Sequence, residues 1–408
     1  MTAPGDPLVL GSRTDSDRDR FRFHTADGVP ATDGFCPGEL LALEHLWDRD
    51  LGRLRVVDPR YGVVGVVLAE VADGVEFAAT SARSAGLCRR NLAANEADAT
   101  VDIATGLPSV DGASDLDSDG TPAATRETAA TTAPDRGRTD GGPRTEPHTA
   151  VYVPRAYDPI ELGRRRILGA LAALAPGGSL FVAARPETGL RRYEDSLAET
   201  AETTEAVGTR DDWALLRAER PPTVETPADP PFDRLRARVD GVDLPMVTAP
   251  GLFAPTGLDD GTRLLAETIE IADGYQVLDL CCGYGPLGAY AGSVADCDLW
   301  CSDGDALATA CARRTLEAND VDGRVVTADC VAGVADRTFD TVLCNPPTHA
   351  GDGVLADLFD GVRTVLARDG RFRFVHHRSL DLSAHAKRFD RVETVATGPE
   401  HVVRLARR

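Results

Sequence analysis

Short apolar runs and amphipathic segments alternate along the C-terminal half of the chain. Apolar runs at residues 276–280, 298–301 and 341–344 predict strands, whereas helical spacing of apolar positions over residues 306–319 and 354–366 predicts helices. Strands that alternate with helices are typical of a parallel, doubly wound α/β sheet. The last two apolar runs are joined only by Gly-Pro-Glu, which is too short for a helical crossover, so we expect an antiparallel last strand.

The N-terminal half repeats the same order of motifs. The stretch VVDPRYGVVGVVLA corresponds to VLDLCCGYGPLGAY, RRNLAANEAD to RRTLEANDVD, and AVYVPRA to TVLCNPP. We therefore predict an internal duplication of one α/β fold. The first copy has Pro-Arg-Tyr at residues 59–61 where the second has Cys-Cys-Gly at 281–283, and Val-Pro-Arg at 153–155 where the second has Asn-Pro-Pro at 345–347. We expect that the first copy kept the fold and lost its ligand sites.

Two segments of unusual composition divide the chain. Residues 107–149 contain almost no large apolar side chain, which predicts a disordered insertion. The proline-rich residues 220–231 predict a linker. We therefore expect a degenerate domain over residues 1–219, whose polar first 24 residues form a loosely packed lead-in, and a catalytic domain over residues 232–408.

The charge of the chain is strongly acidic, with a formal net charge of −21, and Lys387 is the only lysine. An acidic surface normally disfavours a nucleic-acid partner. The scarcity of lysine beside abundant aspartate indicates instead a surface adapted to a salt-rich cytoplasm. At about 1 M salt the Debye length falls to roughly 3 Å, which screens long-range repulsion of phosphates. The net charge therefore does not exclude RNA.

Other compositional features bound the class of protein. The N-terminus lacks the basic start and apolar core of a signal peptide, and no apolar run reaches membrane-spanning length, so we expect a cytoplasmic protein with no membrane partner. The nine cysteines include no CxxC pair, which indicates neither zinc nor a disulfide framework. The pair His376-His377 completes no ligand set, so we expect the end of a strand and no metal.

The stretch DTVLCNPPTHAG combines a buried strand with a polar loop. Two consecutive prolines cannot continue a strand, so the chain must turn at Asn345 toward the carboxyl edge of the sheet, where open α/β sheets bind ligands. The amide oxygen of Asn345 and the carbonyl of Pro346 could together accept both hydrogens of a planar exocyclic amine. Asn-Pro is also a common turn pair, and His349 could contact a substrate or be an ordinary loop histidine.

Three aspartates follow successive predicted strands, beside a glycine-rich turn. Asp279 precedes glycines at 283 and 285, whose backbone permits close approach of a ligand, although helix–sheet packing alone also favours glycine. Asp303 could accept hydrogen bonds from ribose hydroxyls, or the stretch SDGD that contains it could simply cap the next helix. Asp329 could bind an adenine amine or be a loop residue. The turn lacks both GxGxxG and GK[ST], which disfavours dinucleotide and P-loop sites.

Together these motifs resemble the class I S-adenosylmethionine-dependent methyltransferases, and more closely the ribosomal RNA guanine-N2 methyltransferases of the RsmC/RlmG type. The segments that carry the closer resemblance are PGLFAPTGLDDGTRLL, VLDLCCGYGPLG, NPPTHAG and the degenerate tandem copy. The resemblance implies two tandem Rossmann-like methyltransferase-fold domains that use S-adenosyl-L-methionine. It implies cofactor binding by Asp279, Gly283, Gly285, Asp303 and Asp329, catalysis by Asn345, Pro346 and Pro347, and substrate contacts by Thr348 and His349.

The function that the resemblance implies is methyl transfer to the exocyclic N2 amine of a guanosine in ribosomal RNA. The partners would be ribosomal RNA or the small ribosomal subunit, and we expect a monomer. This chain departs from the usual pattern at Cys281, where the family has glycine, and at Thr348, where it has an aromatic residue. Alternatives are methylation of another amine (tRNA guanine, adenine N6 or protein glutamine) and a non-catalytic RNA-binding or ribosome-assembly factor.

Overall fold

The N-terminal lead-in contains an antiparallel hairpin. The computed structural model of the protein describes residues 6–12, 18–107, 146–224 and 232–408. Strands β1 (Leu8–Gly11) and β2 (Arg20–Phe23) pair with each other, and both phenylalanines of β2 are buried. The side chain of Asn95 forms hydrogen bonds with the backbone of Arg22, and that of Asn91 with the backbone of His24. The prediction of a loosely packed lead-in is therefore wrong for these residues, because alternate apolar positions bury one face of β2.

The first of two large sheets has seven strands in the order β5-β4-β3-β6-β7-β9-β8. The five strands from β5 to β7 run parallel, and β9 is antiparallel to both of its neighbours. Its strands are β3 (Arg53–Val57), β4 (Gly74–Ala79), β5 (Thr100–Ile103), β6 (Thr149–Tyr152), β7 (Ser179–Ala184), β8 (Thr203–Arg210) and β9 (Trp213–Glu219). The associated helices are α1 (Pro37–Leu46), α2 (Val63–Leu68), α3 (Ala82–Ala94), α4 (Ile160–Ala173) and α5 (Leu190–Thr200).

The second sheet repeats this topology in the order β14-β13-β12-β15-β16-β18-β17. It follows a separate hairpin of β10 (Asp233–Val239) and β11 (Val242–Thr248). Its strands are β12 (Gln276–Leu280), β13 (Asp298–Asp303), β14 (Arg324–Thr327), β15 (Phe339–Cys344), β16 (Leu366–His377), β17 (Arg391–Thr397) and β18 (His401–Arg407). The helices are α6 (Asp260–Ala266), α7 (Pro286–Val294), α8 (Ala306–Ala318), α9 (Asp352–Val365) and α10 (Ser383–Ala386).

The predicted fold class is confirmed. Both sheets are mostly parallel, and the last strand, β18, lies antiparallel between β16 and β17. The apolar runs are nearly continuous because helices cover both faces of the second sheet. Val277 belongs to the apolar cluster with α6, α7 and α8, whereas Leu278 belongs to the cluster with α9 and α10.

Part of the predicted organisation falls outside the described residues. The segment predicted to be disordered lies almost entirely outside them, at residues 108–145. Residues 225–231 of the predicted linker also lie outside them. Within the described part, no helix combines the length and apolar character that a membrane-spanning segment needs.

The two halves meet through equivalent segments. Ser81, which caps α3, forms an antiparallel bridge with Asp305, which caps α8 at the corresponding position of the second copy. The amide of Ala82 donates to the carbonyl of Gly304 at 2.8 Å, and Ala306 donates to Thr80 at 3.0 Å. This local two-fold relationship places the first half of the chain against the carboxyl edge of the second sheet.

Candidate active site

A cavity of about 330 Å³ opens at the carboxyl edge of the second sheet. Seven of the ten predicted site residues line this cavity. They are Gly283, Asp303, Asn345, Pro346, Pro347, Thr348 and His349. Asp279, Gly285 and Asp329 lie outside its lining. The cavity therefore joins the glycine-rich turn to the Asn-Pro-Pro loop, as the adjacent parallel strands β12 and β15 require.

The Asn-Pro-Pro loop begins directly after β15 and turns tightly. The carbonyl of Pro346 accepts a hydrogen bond from the amide of Thr348 at 2.8 Å, and Pro347 accepts one from Ala350 at 2.9 Å. A carbonyl oxygen has two lone pairs, so Pro346 retains capacity for one further donor. The loop thus fixes its polar groups through its own backbone.

Asn345 is oriented by two side chains at the start of α6. Its Nδ2 donates to Thr262 Oγ1 at 2.9 Å and to Asp259 Oδ2 at 3.3 Å. An ionised carboxylate can only accept hydrogen bonds, so the amide nitrogen must face Asp259. The amide oxygen is left as the group that Asn345 can offer to a donor in the cavity.

Asp259 has a second role in the same contact. Its Oδ2 accepts from the amide of Thr262 at 2.8 Å and caps α6. One carboxylate therefore fixes both the helix start and the orientation of Asn345. A capping pattern before an apolar run is visible in the sequence, but its contact with a residue 86 positions away is not.

Asp279 lies in β12, outside the lining of the cavity, and is fully buried. Its Oδ2 accepts a hydrogen bond from the amide of Gly288 at 2.8 Å, whereas its Oδ1 is buried without a protein partner. Burial raises the pKa of Asp279 to about 7, more than the Gly288 hydrogen bond lowers it. An unpartnered buried carboxylate oxygen is costly and is well suited to receive a ligand donor.

The glycine-rich turn contains alternate residues with left-handed backbone conformation. Cys281, Gly283 and Gly285 have φ values of 58°, 55° and 81°. A Cβ at Gly283 would meet no atom within 4 Å, so this glycine leaves open space beside the cavity. A Cβ at Gly285 would approach Ala312 of α8 at 3.2 Å, so that glycine permits close helix packing. Cys281 adopts the conformation for which the resembling family uses glycine.

The two cysteines of this turn are neutral thiols. Contact with Cys344 and burial raise the pKa of Cys281, and contact with Cys301 and burial raise the pKa of Cys282. All nine cysteines are free thiols. No group of three or more His, Cys, Asp or Glu within the described residues is arranged to hold a metal ion.

Asp303 faces the cavity at the end of β13. It accepts hydrogen bonds from the amides of Gly283 and Asp305, each at 2.9 Å, and burial raises its pKa to about 6. The helix cap predicted for the stretch SDGD is confirmed and is made by Asp305, whose Oδ1 accepts from the amides of Leu307 and Ala308. Asp303 therefore links the glycine-rich turn to the end of β13, and its carboxylate retains lone pairs for a ligand.

Asp329 lies outside the cavity and is paired with the other half of the chain. Arg83, at the start of α3, donates through Nε to Asp329 Oδ1 at 2.9 Å. The same guanidinium bonds Asp357 of α9 at 3.2 Å. Asp329 is thus fixed by an arginine of the first copy rather than standing free at a strand end.

The corresponding region of the first copy is filled by charged side chains. Burial would raise the pKa of Asp58, but the guanidiniums of Arg155 and Arg166 lower it to about 2. The turn of the first copy also has alternate left-handed residues, which are Asp58, Arg60 and Gly62. Arg60 is the middle one and therefore corresponds to Gly283 of the second copy. The sequence correspondence of Pro59 with Cys281 is therefore wrong by one residue, because each helix begins after its last left-handed glycine.

Several lining residues were not identified as site residues from sequence. They are Phe253, Asp259, Thr262, Tyr284, His376, His377 and His401. The first four lie in PGLFAPTGLDDGTRLL and VLDLCCGYGPLG, two of the segments that carry the family resemblance, which is the signal that could have found them. The three histidines lie at the ends of β16 and β18, and no such motif marks them.

Comparisons with known proteins agree with this architecture. Residues 243–404 match the family model described as "Methyltransferase small domain". A solved "T. Thermophilus 16S rRNA N2 G1207 methyltransferase (RsmC) in complex with AdoMet and Guanosine" superposes with a TM-score of 0.74 at 19% identity, over 98% of this chain and 97% of that one. At this identity the superposition establishes the fold alone.

Two curated relatives are similar over about half of this chain. "Ribosomal RNA small subunit methyltransferase C" of Pseudomonas aeruginosa (strain UCBPP-PA14) is 33% identical over 232 residues, 53% of this chain and 65% of the relative. "Ribosomal RNA large subunit methyltransferase G" of Aliivibrio fischeri (strain MJ11) is 27% identical over 226 residues, 52% of this chain and 57% of the relative. The chain spans about 60% of the length of these two relatives.

The two sheets and the cavity define a protein of the class I methyltransferase fold. Residues 243–404 of its second half match the methyltransferase small domain, and the chain resembles the RsmC/RlmG-type ribosomal RNA methyltransferases, as its sequence predicted.

Proposed function

We propose that this protein transfers a methyl group from S-adenosyl-L-methionine to the exocyclic N2 amine of a guanosine in ribosomal RNA. The observation that carries the proposal is the orientation of Asn345, whose nitrogen faces Asp259 and Thr262 and whose oxygen is left for a donor. An exocyclic amine is such a donor. Support also comes from the two relatives, which are named as ribosomal RNA methyltransferases, and from the similar solved structure, which holds AdoMet and guanosine.

The residues at the glycine-rich turn fit the proposed cofactor. The open space beside Gly283 would admit it, and the unpartnered Oδ1 of Asp279 suits a donor such as its ammonium group. Asp303 would accept hydrogen bonds from the ribose hydroxyls, and Asp329 would face the adenine ring. When bound, S-adenosylmethionine supplies an electrophilic methyl group on its sulfonium.

Asn345 and Pro346 would prepare the amine. The nitrogen of a guanine N2 amine is a poor nucleophile, because its lone pair is delocalised into the ring. Acceptance of its hydrogens by Asn345 Oδ1 and the Pro346 carbonyl favours the tetrahedral, nucleophilic form and directs its lone pair into the cavity. Orientation of two bound reactants is the main catalytic contribution. Pro347 would hold the loop rigid, and Thr348 and His349, which line the cavity, would contact the nucleotide.

The first half of the chain would act as a supporting domain. We propose a degenerate domain over residues 1–219 and a catalytic domain over residues 232–408, with ribosomal RNA or the small subunit as the partner of a monomer. Contacts from the first half reach the second at Asp329 through Arg83 and at Gly353 through Asp27. Gly353 lies in the first turn of α9, which follows the Asn-Pro-Pro loop, and Asp329 follows β14, the neighbour of β13. The first half would hold these two segments in place.

Binding of the cofactor tests the first step of this proposal. Calorimetric titration of purified protein with S-adenosylmethionine should give saturable binding at one site per chain. Asp303→Ala should weaken that binding, whereas Asp298→Ala, at the opposite end of β13, should leave it unchanged. Failure of the wild-type protein to bind would contradict the enzyme assignment.

A further inference from the structure

We infer that Phe253 is the side chain on which the target base stacks. It would replace the aromatic residue that the resembling family has at the position of Thr348. This inference rests on the proposed function and names the substrate contact within the same cavity. Phe253 lines that cavity together with Asn345 and the Pro-Pro turn. Thr348 also lines it but offers no ring.

The exposure of Phe253 sets it apart among the aromatic side chains. Phe253 is 60% exposed, and the only other large aromatic side chain of comparable exposure within the described residues is Tyr157. Tyr157 does not line the cavity. An exposed phenyl ring at the mouth of a binding cavity leaves apolar surface in water that a planar ligand can cover.

The loop that carries Phe253 is anchored on both sides of the ring. At one side, Gly251 lies so close to α4 that an added Cβ would approach Leu162 at 2.7 Å, and its neighbour Leu252 is buried. At the other side, the hydroxyl of Tyr284 in the glycine-rich turn donates to the carbonyl of Gly257 at 3.2 Å. A ring presented by an anchored loop loses little freedom when a base binds.

The two anchors connect this loop to the proposed cofactor site and to the first domain. Tyr284 belongs to the turn that would hold the cofactor, and Leu162 belongs to the first domain. The first domain would therefore contribute to base binding indirectly, through the position of Phe253. A base stacked on Phe253 would lie in the same cavity as the Asn345 amide, which can receive its exocyclic amine.

Two substitutions at Phe253 separate stacking from apolar contact. Phe253→Leu keeps an apolar side chain and removes the ring, whereas Phe253→Trp keeps a ring. Val294→Ala serves as control, because Val294 is an exposed apolar residue at the far end of α7. Base binding is followed by the fluorescence of 2-aminopurine riboside, which is quenched when the base stacks, and cofactor binding by calorimetry.

We expect wild type, Phe253→Trp and Val294→Ala to quench the probe, and Phe253→Leu to bind it roughly 10-fold more weakly, as loss of one base–aromatic stack produces. Phe253→Leu should also raise the KM for ribosomal RNA from a strain lacking the gene, with unchanged S-adenosylmethionine affinity. Wild-type binding and turnover by Phe253→Leu would overturn this inference while leaving the proposed function intact. Weakened cofactor binding by Phe253→Leu would also overturn it. Absence of methyl transfer by wild type would overturn both.

Discussion

Arg83 of the first domain lies 2.9 Å from the carboxylate of Asp329 in the second domain, across 246 positions of sequence. The arginine side chain is 13% exposed and also reaches Asp357 and the carbonyl of Asp27. The degenerate copy thus supplies a cation to an aspartate proposed to face the adenine ring. Its loss would remove a cation that contacts both acidic side chains.

Replacement of Arg83 should therefore affect both stability and cofactor binding. Arg83→Ala should lower the free energy of unfolding by about 1.5–3 kcal/mol, the range for hydrogen bonds to charged groups, and weaken S-adenosylmethionine binding several-fold. Urea unfolding and calorimetry measure the two effects. Arg90→Ala, an exposed position on the same helix, should change stability by less than about 0.5 kcal/mol. Equal behaviour of the two variants would argue against a bracing role for Arg83.

The orientation of Asn345 can be disturbed without loss of the helix cap. Asp259→Asn retains a good N-cap for α6, but the new amide can accept or donate and no longer forces the nitrogen of Asn345 toward it. We expect kcat to fall roughly 10-fold, since misplacement of a positioning group costs catalysis, with unchanged unfolding free energy. Thr262→Ser keeps the hydroxyl and should retain activity. An Asp259→Asn enzyme with wild-type kcat would show that this contact does not orient the amide.

The buried Asp279 predicts a decrease in stability as pH rises. Its folded pKa of about 7 exceeds the ordinary value of 3.8, so the folded state binds more protons than the unfolded state between these values. The free energy of unfolding should accordingly fall between about pH 4 and pH 7, by roughly 3–4 kcal/mol from this group. Asp279→Asn, measured by urea unfolding across this range, should show a flatter dependence. An identical pH profile would exclude Asp279 as the source.

The left-handed conformation of Cys281 predicts an unusual order of substitution effects. Cys281→Gly should fold with a stability within about 1 kcal/mol of wild type, because glycine adopts this conformation without steric cost. Cys281→Val should be destabilised by roughly 2 kcal/mol or more, since a β-branched residue is poorly tolerated at positive φ. Thermal or urea unfolding gives the order. A valine variant as stable as the glycine variant would contradict the assigned backbone conformation.

Local sequence signals predicted the framework of the site. The strand that ends at Cys344 and the turn at Asn345 follow from an apolar run and two prolines, and both lie where expected. The parallel neighbours of that strand follow from the alternation of strands and helices. These features depend on adjacent residues, which is why one sequence sufficed.

Contacts between distant residues could not be predicted in this way. The partners of Asn345 lie 83 and 86 positions earlier in the chain, and the partner of Asp329 lies in the other domain. Neither contact leaves a periodic or compositional signal. The hairpin of β1 and β2 was missed because charged residues surround its two buried phenylalanines.

The central claim is that Asn345 supports methylation of guanosine N2 in ribosomal RNA. Its most direct test is mass spectrometry of ribosomal RNA nucleosides from a deletion strain complemented with wild type or Asn345→Ala, both confirmed as expressed and able to bind S-adenosylmethionine. We expect N2-methylguanosine at one position to be lost in the deletion, restored by wild type and not restored by Asn345→Ala. Unchanged N2-methylguanosine in the deletion strain, or full restoration by Asn345→Ala, would contradict the account.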